Sequence, residues 1–287
     1  RAPYREYTYL LQDNAYGALE HLNSLTLGAP SADLAKDPNA LLEEIAHEYF
    51  HSWNLLRIRP AEWGDVTYAP PRQPVELWMS EGITMYYADL LLRRAGLPMT
   101  DSSRVDHLAR LMERYLAQRD GYARYSADQV SRVANESPGS LGDHILSTHL
   151  QGELLGTMLD LRIQNATRGR RSLDDVMRRM MERFSGAEGF TDRDVETTTE
   201  GVCGCKLKAF FAAYVRGHTP VPFDDYLRMI GLRAEVSWAP ARGDSGQLRP
   251  DLRVTAWMPP GARNPALVLV TPESVWGKAG LRTGDRV

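Results

Sequence analysis

The sequence lacks the features of a membrane-spanning, nucleic-acid-binding or disulfide-rich protein. It has no apolar run near the roughly 18 residues that span a bilayer. A formal net charge of −3 gives no electrostatic argument for nucleic acid or a membrane surface. The two cysteines, Cys203 and Cys205, could form a strained disulfide or stay as free thiols, and their spacing is poor for zinc. The composition, with 43% hydrophobic and 25% charged residues, is typical of a soluble globular protein.

The strongest functional signal is the HExxH motif at positions 47–51, inside a predicted helix. The helix has an apolar stripe with helical spacing, formed by Leu42, Ile45, Tyr49, Trp53 and Leu56. His47 and His51 lie on nearly the opposite face, one turn apart. This geometry suits two ligands of one tetrahedral metal ion, with Glu48 beside them to take a proton from water. The alternative interpretation is a chance motif on a solvated helix face.

A two-histidine site needs a third protein ligand, and catalytic zinc commonly takes two histidines, one glutamate and water. Glu81 is a candidate because it stands in the first turn of a second predicted helix, which runs from Ile83 to Arg94 with Ser80 as its N-cap. The alternative is that Glu81 only complements the helix dipole. Glu44 is a competing ligand, since it shares the histidine face one turn before His47.

The remaining pattern predicts an α+β protein. Residues 4–30 read as strands, and Ser31 to Asn39 read as a polar loop. The chain is then mainly helical to about residue 231, with helices over 101–119, 145–164, from Ser172 onward, and over 205–216 and 223–230, and with Asp192 to Glu200 as a solvated loop and helix start. Beyond Gly231, short β-like runs alternate with turns at Glu235–Trp238, Leu252–Trp257 and Ala266–Val270.

Two stretches together resemble one family of enzymes. The sequence HEYFHSWNLLRIRP at 47–60, followed by WMSEGITMYY at 78–87, is similar to the glycyl aminopeptidases. These are zinc metallopeptidases of the gluzincin group, distantly similar to aminopeptidase N. The resemblance continues through 159–163, 172–175 and 210–217, and it covers most of residues 4–231. It implies a thermolysin-like catalytic domain over residues 1–231, mainly helical after a short N-terminal β part.

Carried onto this sequence, the resemblance implies a metal site and a catalytic base. His47, His51 and Glu81 would hold one zinc ion, and Glu48 would act as the general base. The expected reaction is removal of small N-terminal residues, glycine and alanine, from peptides. No residue by itself explains the preference for small residues.

The same resemblance implies a binding site for the substrate's N-terminus. The segment Gly17-Ala18-Leu19-Glu20-His21 looks like the exopeptidase strand of aminopeptidase N relatives, written G-x-M-E-N. Its glutamate, Glu20, would hold the free α-ammonium group by a charge-assisted contact, with Gly17 opening the strand. Read without the family, Glu20 is an ordinary solvated side chain after a turn.

One position departs from the family. Relatives have a Tyr-x-Lys-Gly sequence whose tyrosine hydroxyl stabilises the oxyanion, and here the corresponding residues are Thr148-His149-Leu150-Gln151-Gly152. His149 therefore stands at the tyrosine position, where it can donate a hydrogen bond and, if protonated, add positive charge. The alternative is that His149 is structural and the donor lies elsewhere or is missing. Loss of one such donor typically costs about 10²–10³ in rate.

The end of the chain suggests a second domain. Residues 272–287 look like the first part of a PDZ domain, which these enzymes often carry, so 232–287 is expected to hold linker strands and an incomplete PDZ-like domain. The family also has an N-terminal β-domain, and the resemblance implies that the sequence is a fragment at both ends. An oligomer or a separate N-terminal β-domain could supply the missing part. Family habit favours the bacterial periplasm or secretion.

Three other functions remain open at this point. A zinc endopeptidase would keep the metal site and have no use for Glu20. A pseudoenzyme would bind zinc without turnover, as the missing tyrosine suggests. A PDZ-type module would bind an extended peptide by strand addition. The expected partners of the enzyme are peptides with a free N-terminus.

Overall fold

A computed structural model describes residues 2–64, 74–134, 141, 146–240, 242, 245–248, 254–257, 263, 266–269, 272 and 274–286. Within these ranges the fold is a helix-rich body with a small N-terminal sheet, in agreement with the predicted α+β class. No helix in the described part of the chain combines the length and apolarity needed to cross a membrane.

The N-terminal sheet contains three strands within the described residues: β1 (Thr8–Asp13), β2 (Gly17–His21) and β3 (Ser24–Ala29). β3 lies in the middle, antiparallel to β2 and parallel to β1. Leu25 and Leu27 alternate along β3 with no exposed surface, whereas every residue of β1 is exposed. The sheet therefore rests on the body through β3, and β1 forms its outer edge.

The helices follow the sheet in chain order. Their bounds are α1 Ser31–Lys36, α2 Leu42–Phe50, α3 Ile83–Arg94, α4 Asp101–Ala117, α5 Arg119–Tyr122, α6 Ala127–Arg132, α7 Thr148–Thr167, α8 Leu173–Phe184, α9 Asp192–Cys203, α10 Lys208–Phe210, α11 Phe223–Leu227 and α12 Val275–Lys278. Short 3₁₀ turns lie at Ala61–Trp63 and Arg228–Ile230, and π-helical turns at Trp78–Gly82 and Phe211–Val215. The segment Trp78–Gly82, called the π turn below, runs directly into α3.

Helix α7 is the centre of the body because it is buried on almost every side. Leu154, Leu155, Met158 and Leu159 have at most 1% of their surface exposed. Residues on all faces of α7 are buried, as expected for a helix inside a protein and not at its surface. It packs against α3, the π turn, α9 and several other helices. The position of the π turn, which carries Glu81, therefore depends on α7.

The helix that carries the HExxH motif differs from its predicted form. It ends at Phe50, so Trp53 and Leu56 fall outside it, and its predicted stripe is only half-buried. The opposite face, with His47 and Glu48, is buried instead. The reason is tertiary: α2 is enclosed between α3 on one side and β2 and β3 on the other.

Four further local predictions are corrected. The polar loop at Ser31 to Asn39 contains helix α1, and the acidic stretch from Asp192 is helix α9, which begins with a capping box between Thr191 and Asp194. Ser80 does not cap a helix, because the chain is already helical from the π turn. No strand forms at Glu235–Trp238, where Trp238 is 67% exposed.

Near the C-terminus, the described residues form a second small sheet. Its strands are β4 (Val254–Trp257), β5 (Ala266–Leu269) and β6 (Asp285–Arg286), with β5 antiparallel to both neighbours. The predicted runs at 252–257 and 266–270 thus contain strands. The PDZ-like interpretation and the domain boundary at residue 231 stay predictions. Of the two alternatives for the cysteines, the structure has the disulfide, between Cys203 and Cys205.

Candidate metal centre

Side chains from three elements converge on one carboxylate oxygen. His47 lies in α2 and His51 follows its last residue, Glu81 lies in the π turn, and His149 is the second residue of α7. The Oε2 atom of Glu81 is 3.3 Å from Nε2 of His47, 3.3 Å from Nε2 of His51 and 3.2 Å from Nε2 of His149. The Nε2 atoms of His47 and His51 are 3.0 Å apart.

The distances from Glu81 to the two motif histidines fit a tetrahedral divalent metal ion, whereas the 3.0 Å between the two histidine Nε2 atoms is slightly shorter than such a site has. Zinc bonds to histidine nitrogen and carboxylate oxygen are about 2.0–2.2 Å long, so two ligand atoms of a tetrahedron lie about 3.3–3.6 Å apart. The distances from Glu81 Oε2 to the two motif histidines match this edge. Three potential ligand atoms, two imidazole nitrogens and one oxygen, thus point into one small volume that suits zinc.

The orientation of His51 is fixed by a contact behind it. Its Nδ1–H donates to the carbonyl oxygen of Asn54 over 3.0 Å, which leaves the Nε2 lone pair facing Glu81. The amide of Asn54 in turn donates to the carbonyl oxygens of Met79 (2.9 Å) and Ser80 (3.1 Å) and contacts Thr84 Oγ1. Asn54 therefore joins the end of α2 to the π turn that carries Glu81. Asn54 was not among the predicted site residues, although it lies inside the family-like stretch.

The pKa values of the side chains in the cluster are shifted in different directions. Burial would raise the pKa of Glu81, but the imidazoles of His149, His47 and His51 lower that pKa well below its usual range. Burial lowers the pKa of His47, whereas the adjacent Glu81 carboxylate outweighs burial at His51 and raises its pKa. Glu81 is thus held ionised, which is the state that binds a cation.

Glu48 lies beside the cluster in a different environment. Only 7% of its surface is exposed, and burial raises the pKa of its carboxyl to about 7. Its Oε2 atom has no hydrogen-bond partner among the described residues. A carboxylate with a pKa near neutrality can both accept and return a proton in one reaction cycle.

Glu20 reaches the same region from the sheet. One ligand atom each of Glu20, Glu48 and His51 lie within 4.8 Å of one another. Gly17 opens β2 at a φ of 84°, in the left-handed region that favours glycine, and so allows the turn before this strand. Glu44, the competing ligand, is not in any group of three metal-binding side chains among the described residues.

Two glycines set the spacing between the π turn and α7. A methyl carbon built on Gly152 would lie 2.2 Å from the carbonyl oxygen of Trp78 and 2.7 Å from Cα of Gly82. The two backbones therefore touch without intervening side chains. This contact lies one residue from Glu81 and three residues from His149, so it sets how closely those side chains approach.

A second charged cluster lies deeper, between α3, α4 and α7. His107 Nδ1 is 2.6 Å from Asp89, and the Arg104 guanidinium contacts Asp89 at 2.5 Å and Glu153 at 2.6 Å. The carboxylates of Asp89 and Glu153 are almost fully buried. Because Arg104 already supplies a buried cation between them, this cluster stabilises the packing of three helices and is not suited to a metal ion.

Comparisons with known proteins agree with the resemblance seen in the sequence. Residues 40–155, which include the HExxH motif, the π turn and His149, match the model of the M61 glycyl aminopeptidases. The structure is similar to the crystal structure of an aminopeptidase N family protein from Idiomarina loihiensis, with a TM-score of 0.79 and 23% identity over 99% of this chain. The chain spans about half of that protein, 51% of its length. No curated protein sequence matches.

These matches confirm the recognition of a glycyl aminopeptidase-like segment and of a fold shared with an aminopeptidase N family protein.

Proposed function

We propose that the chain is the catalytic part of a zinc-dependent aminopeptidase that removes small N-terminal residues from peptides. The observation that carries the proposal is the convergence of two imidazole nitrogens and one ionised carboxylate oxygen at tetrahedral spacing, with the buried Glu48 beside them. In this proposal His47, His51 and Glu81 hold the ion. Zinc in such a site supplies a polarised carbonyl group and a water that ionises near neutral pH.

The chain's own residues carry the proton transfers. Glu48 accepts a proton from the attacking water and later gives it to the amine that leaves. Burial raises the pKa of its carboxyl, which favours holding the proton between the two steps, and its Oε2, without a hydrogen-bond partner among the described residues, is available for both. His149 donates a hydrogen bond to the oxygen on which negative charge develops, since its Nε2 lies on the same side of Glu81 as the motif histidines.

Glu20 supports exopeptidase action. One carboxylate oxygen of Glu20 lies within 4.8 Å of one of Glu48, so an α-ammonium group paired with Glu20 would lie beside the proposed base. An ammonium ion between β2 and the motif helix would pair with Glu20, and a chain without a free N-terminus would leave that carboxylate without a counter-charge. The preference for glycine and alanine is taken from the family-like segment.

The test compares glycyl- and alanyl-p-nitroanilide with their N-acetylated forms, with bound zinc measured in the same sample. We expect cleavage of the free-amine substrates only. Glu48→Gln should abolish turnover and keep zinc, and Glu20→Gln should raise KM for the free-amine substrates much more than it lowers zinc content. Glu113→Gln, the same change at an exposed position of α4, is the control and should behave like the wild type.

Each rival function has a distinct result in this assay. Equal cleavage of the acetylated substrates would indicate an endopeptidase. Bound zinc without cleavage of either substrate would indicate a pseudoenzyme. Full activity of Glu48→Gln, or a protein that takes up no zinc, would refute the proposal itself.

A further inference from the structure

We propose that His149 is a fourth protein ligand of the metal ion in the substrate-free enzyme, so that the resting site is closed. The inference rests on the proposed function, because it takes His47, His51 and Glu81 as the other three ligands. It assigns His149 a role beyond hydrogen bonding to substrate: the imidazole must leave the ion before a peptide can be cleaved.

His149 lies as close to the Glu81 carboxylate oxygen as the other two histidines do. Its Nε2 lies 3.2 Å from Glu81 Oε2, and the corresponding distances for His47 and His51 are both 3.3 Å. The edge of a tetrahedron with metal–ligand bonds of about 2.0–2.2 Å is about 3.3–3.6 Å, so the two distances of 3.3 Å match its lower limit and the 3.2 Å distance of His149 is 0.1 Å shorter. His47, Glu81 and His149 also form a group whose ligand atoms lie within 4.8 Å of one another.

The ring of His149 is oriented as a ligand would be. It lies 5.8 Å from the ring of His47, centroid to centroid, with 26° between the planes, so both rings direct Nε2 to the same oxygen. The other nitrogen, Nδ1, lies 3.4 Å from the hydroxyl oxygen of Thr148, which can accept Nδ1–H. In that tautomer the Nε2 lone pair is free for a cation.

The surroundings of His149 make the contact reversible. Its side chain is 49% exposed, whereas those of His47 and His51 are 10% and 2% exposed. Its backbone is fixed at the start of α7, where Ser147 Oγ accepts the Leu150 N–H. The imidazole can therefore rotate into solvent while the helix stays in place.

Ligation by His149 changes what the site can do. Structural zinc sites are closed by four protein ligands, whereas catalytic sites keep one position open. With His149 on the ion, the resting protein belongs to the closed kind. A peptide anchored by Glu20 would compete with His149, and the displaced imidazole would remain next to the reacting carbonyl, where its other tautomer, with the hydrogen on Nε2, can donate a hydrogen bond.

The experiment uses the full chain loaded with zinc or with cobalt(II), as wild type, His149→Ala and His149→Phe. His218→Ala, which removes an exposed histidine elsewhere, is the control. X-ray absorption of the zinc form counts imidazole ligands, azide titration of the cobalt(II) visible spectrum detects an open position, and competition with a chelator measures affinity.

We expect three imidazoles and no azide response in the wild type and in His218→Ala. Both His149 variants should show two imidazoles, a spectral shift with azide, and zinc affinity lowered at least as much as the roughly 10–100-fold typical of losing an outer-shell partner. Two imidazoles and an azide response in the wild type would overturn the inference and leave the proposed function intact. Failure of every form to bind metal would overturn both.

Discussion

The contact between Gly152 and the π turn allows a quantitative prediction for Gly152→Ala. The added methyl carbon would lie 2.2 Å from the carbonyl oxygen of Trp78, and real contacts of this kind are essentially never shorter than 3.0 Å. The π turn and α7 must therefore separate by about 0.8 Å, and both partners are backbone atoms that cannot rotate away. Overpacking of this kind costs about 1–3 kcal/mol. For a chain of this size we expect the unfolding midpoint to fall by roughly 2–4 °C per kcal/mol.

The same shift should damage the site. Glu81 and His149 flank the contact on its two sides, 3.2 Å apart at their closest atoms. A displacement approaching 1 Å in a catalytic site can lower the rate by about 10²-fold. We therefore expect Gly152→Ala to lose zinc affinity and to lower kcat/KM by roughly that factor.

Two other glycines give a graded control series, measured by thermal unfolding, zinc content and kcat/KM. Gly156 lies one turn further along α7, where a methyl carbon would meet the movable end of the Ile83 side chain at 2.7 Å, so Gly156→Ala should cost less. Gly201 in α9 has nothing within 4 Å, and Gly201→Ala should stabilise the protein by about 0.5–1 kcal/mol. Wild-type stability and zinc content in Gly152→Ala, or equal damage in Gly201→Ala, would refute this reasoning.

Three further changes test the packing around the site. Asn54→Asp turns a buried donor to two carbonyl oxygens into a carboxylate facing them, so we expect urea unfolding to show a loss of about 3–5 kcal/mol, and a loss below about 1 kcal/mol would contradict this. Burial raises the pKa of Glu76 from 4.5 to about 7 while its carboxylate accepts a hydrogen bond from Trp78. Ionisation of Glu76 therefore destabilises the fold as pH rises from 4.5 to about 7. Glu76→Gln should raise the free energy of unfolding by up to about 3 kcal/mol at pH 8 but not at pH 4. A gain that does not depend on pH would contradict this effect of burial. The hydrogen bond to Asp89 raises the pKa of His107, so its contribution is complete below its ordinary value of 6.5 and is lost as pH rises through the raised pKa. His107→Gln should accordingly lower the unfolding temperature at pH 6 much more than at pH 9, and equal losses at both would exclude this effect.

The two histidines of the candidate site were predicted from a short-range sequence pattern. An i, i+4 spacing in a helix puts two imidazoles on one face wherever the helix ends up, and the structure brings His47 and His51 together as this spacing requires. Glu81 was a candidate from its place at the start of the next predicted helix, but the family resemblance favoured it over Glu44 and alone indicated His149, because nothing in the local sequence shows which distant carboxylate or imidazole meets the motif. Their roles in chemistry stay predictions until the assays are done.

Sequence by itself determined the elements whose signals are local. The three N-terminal strands, the long helices and the capping box that starts α8 at Ser172 and Asp175 follow from residue preference and periodicity, which act over a few positions. These signals depend on residues that are close together in the chain, so they can be recognised in a single sequence.

Tertiary structure alone decided how those elements meet. It buried the polar face of α2 between α3 and the sheet, made β1 parallel to β3, and extended the helix through Ser80 as a π turn. It also brought Asn54 to the carbonyl oxygens of that turn and Gly82 against Gly152. Each of these features depends on groups far apart in the chain, and their free energy arises from close packing and buried hydrogen bonds that no local pattern encodes.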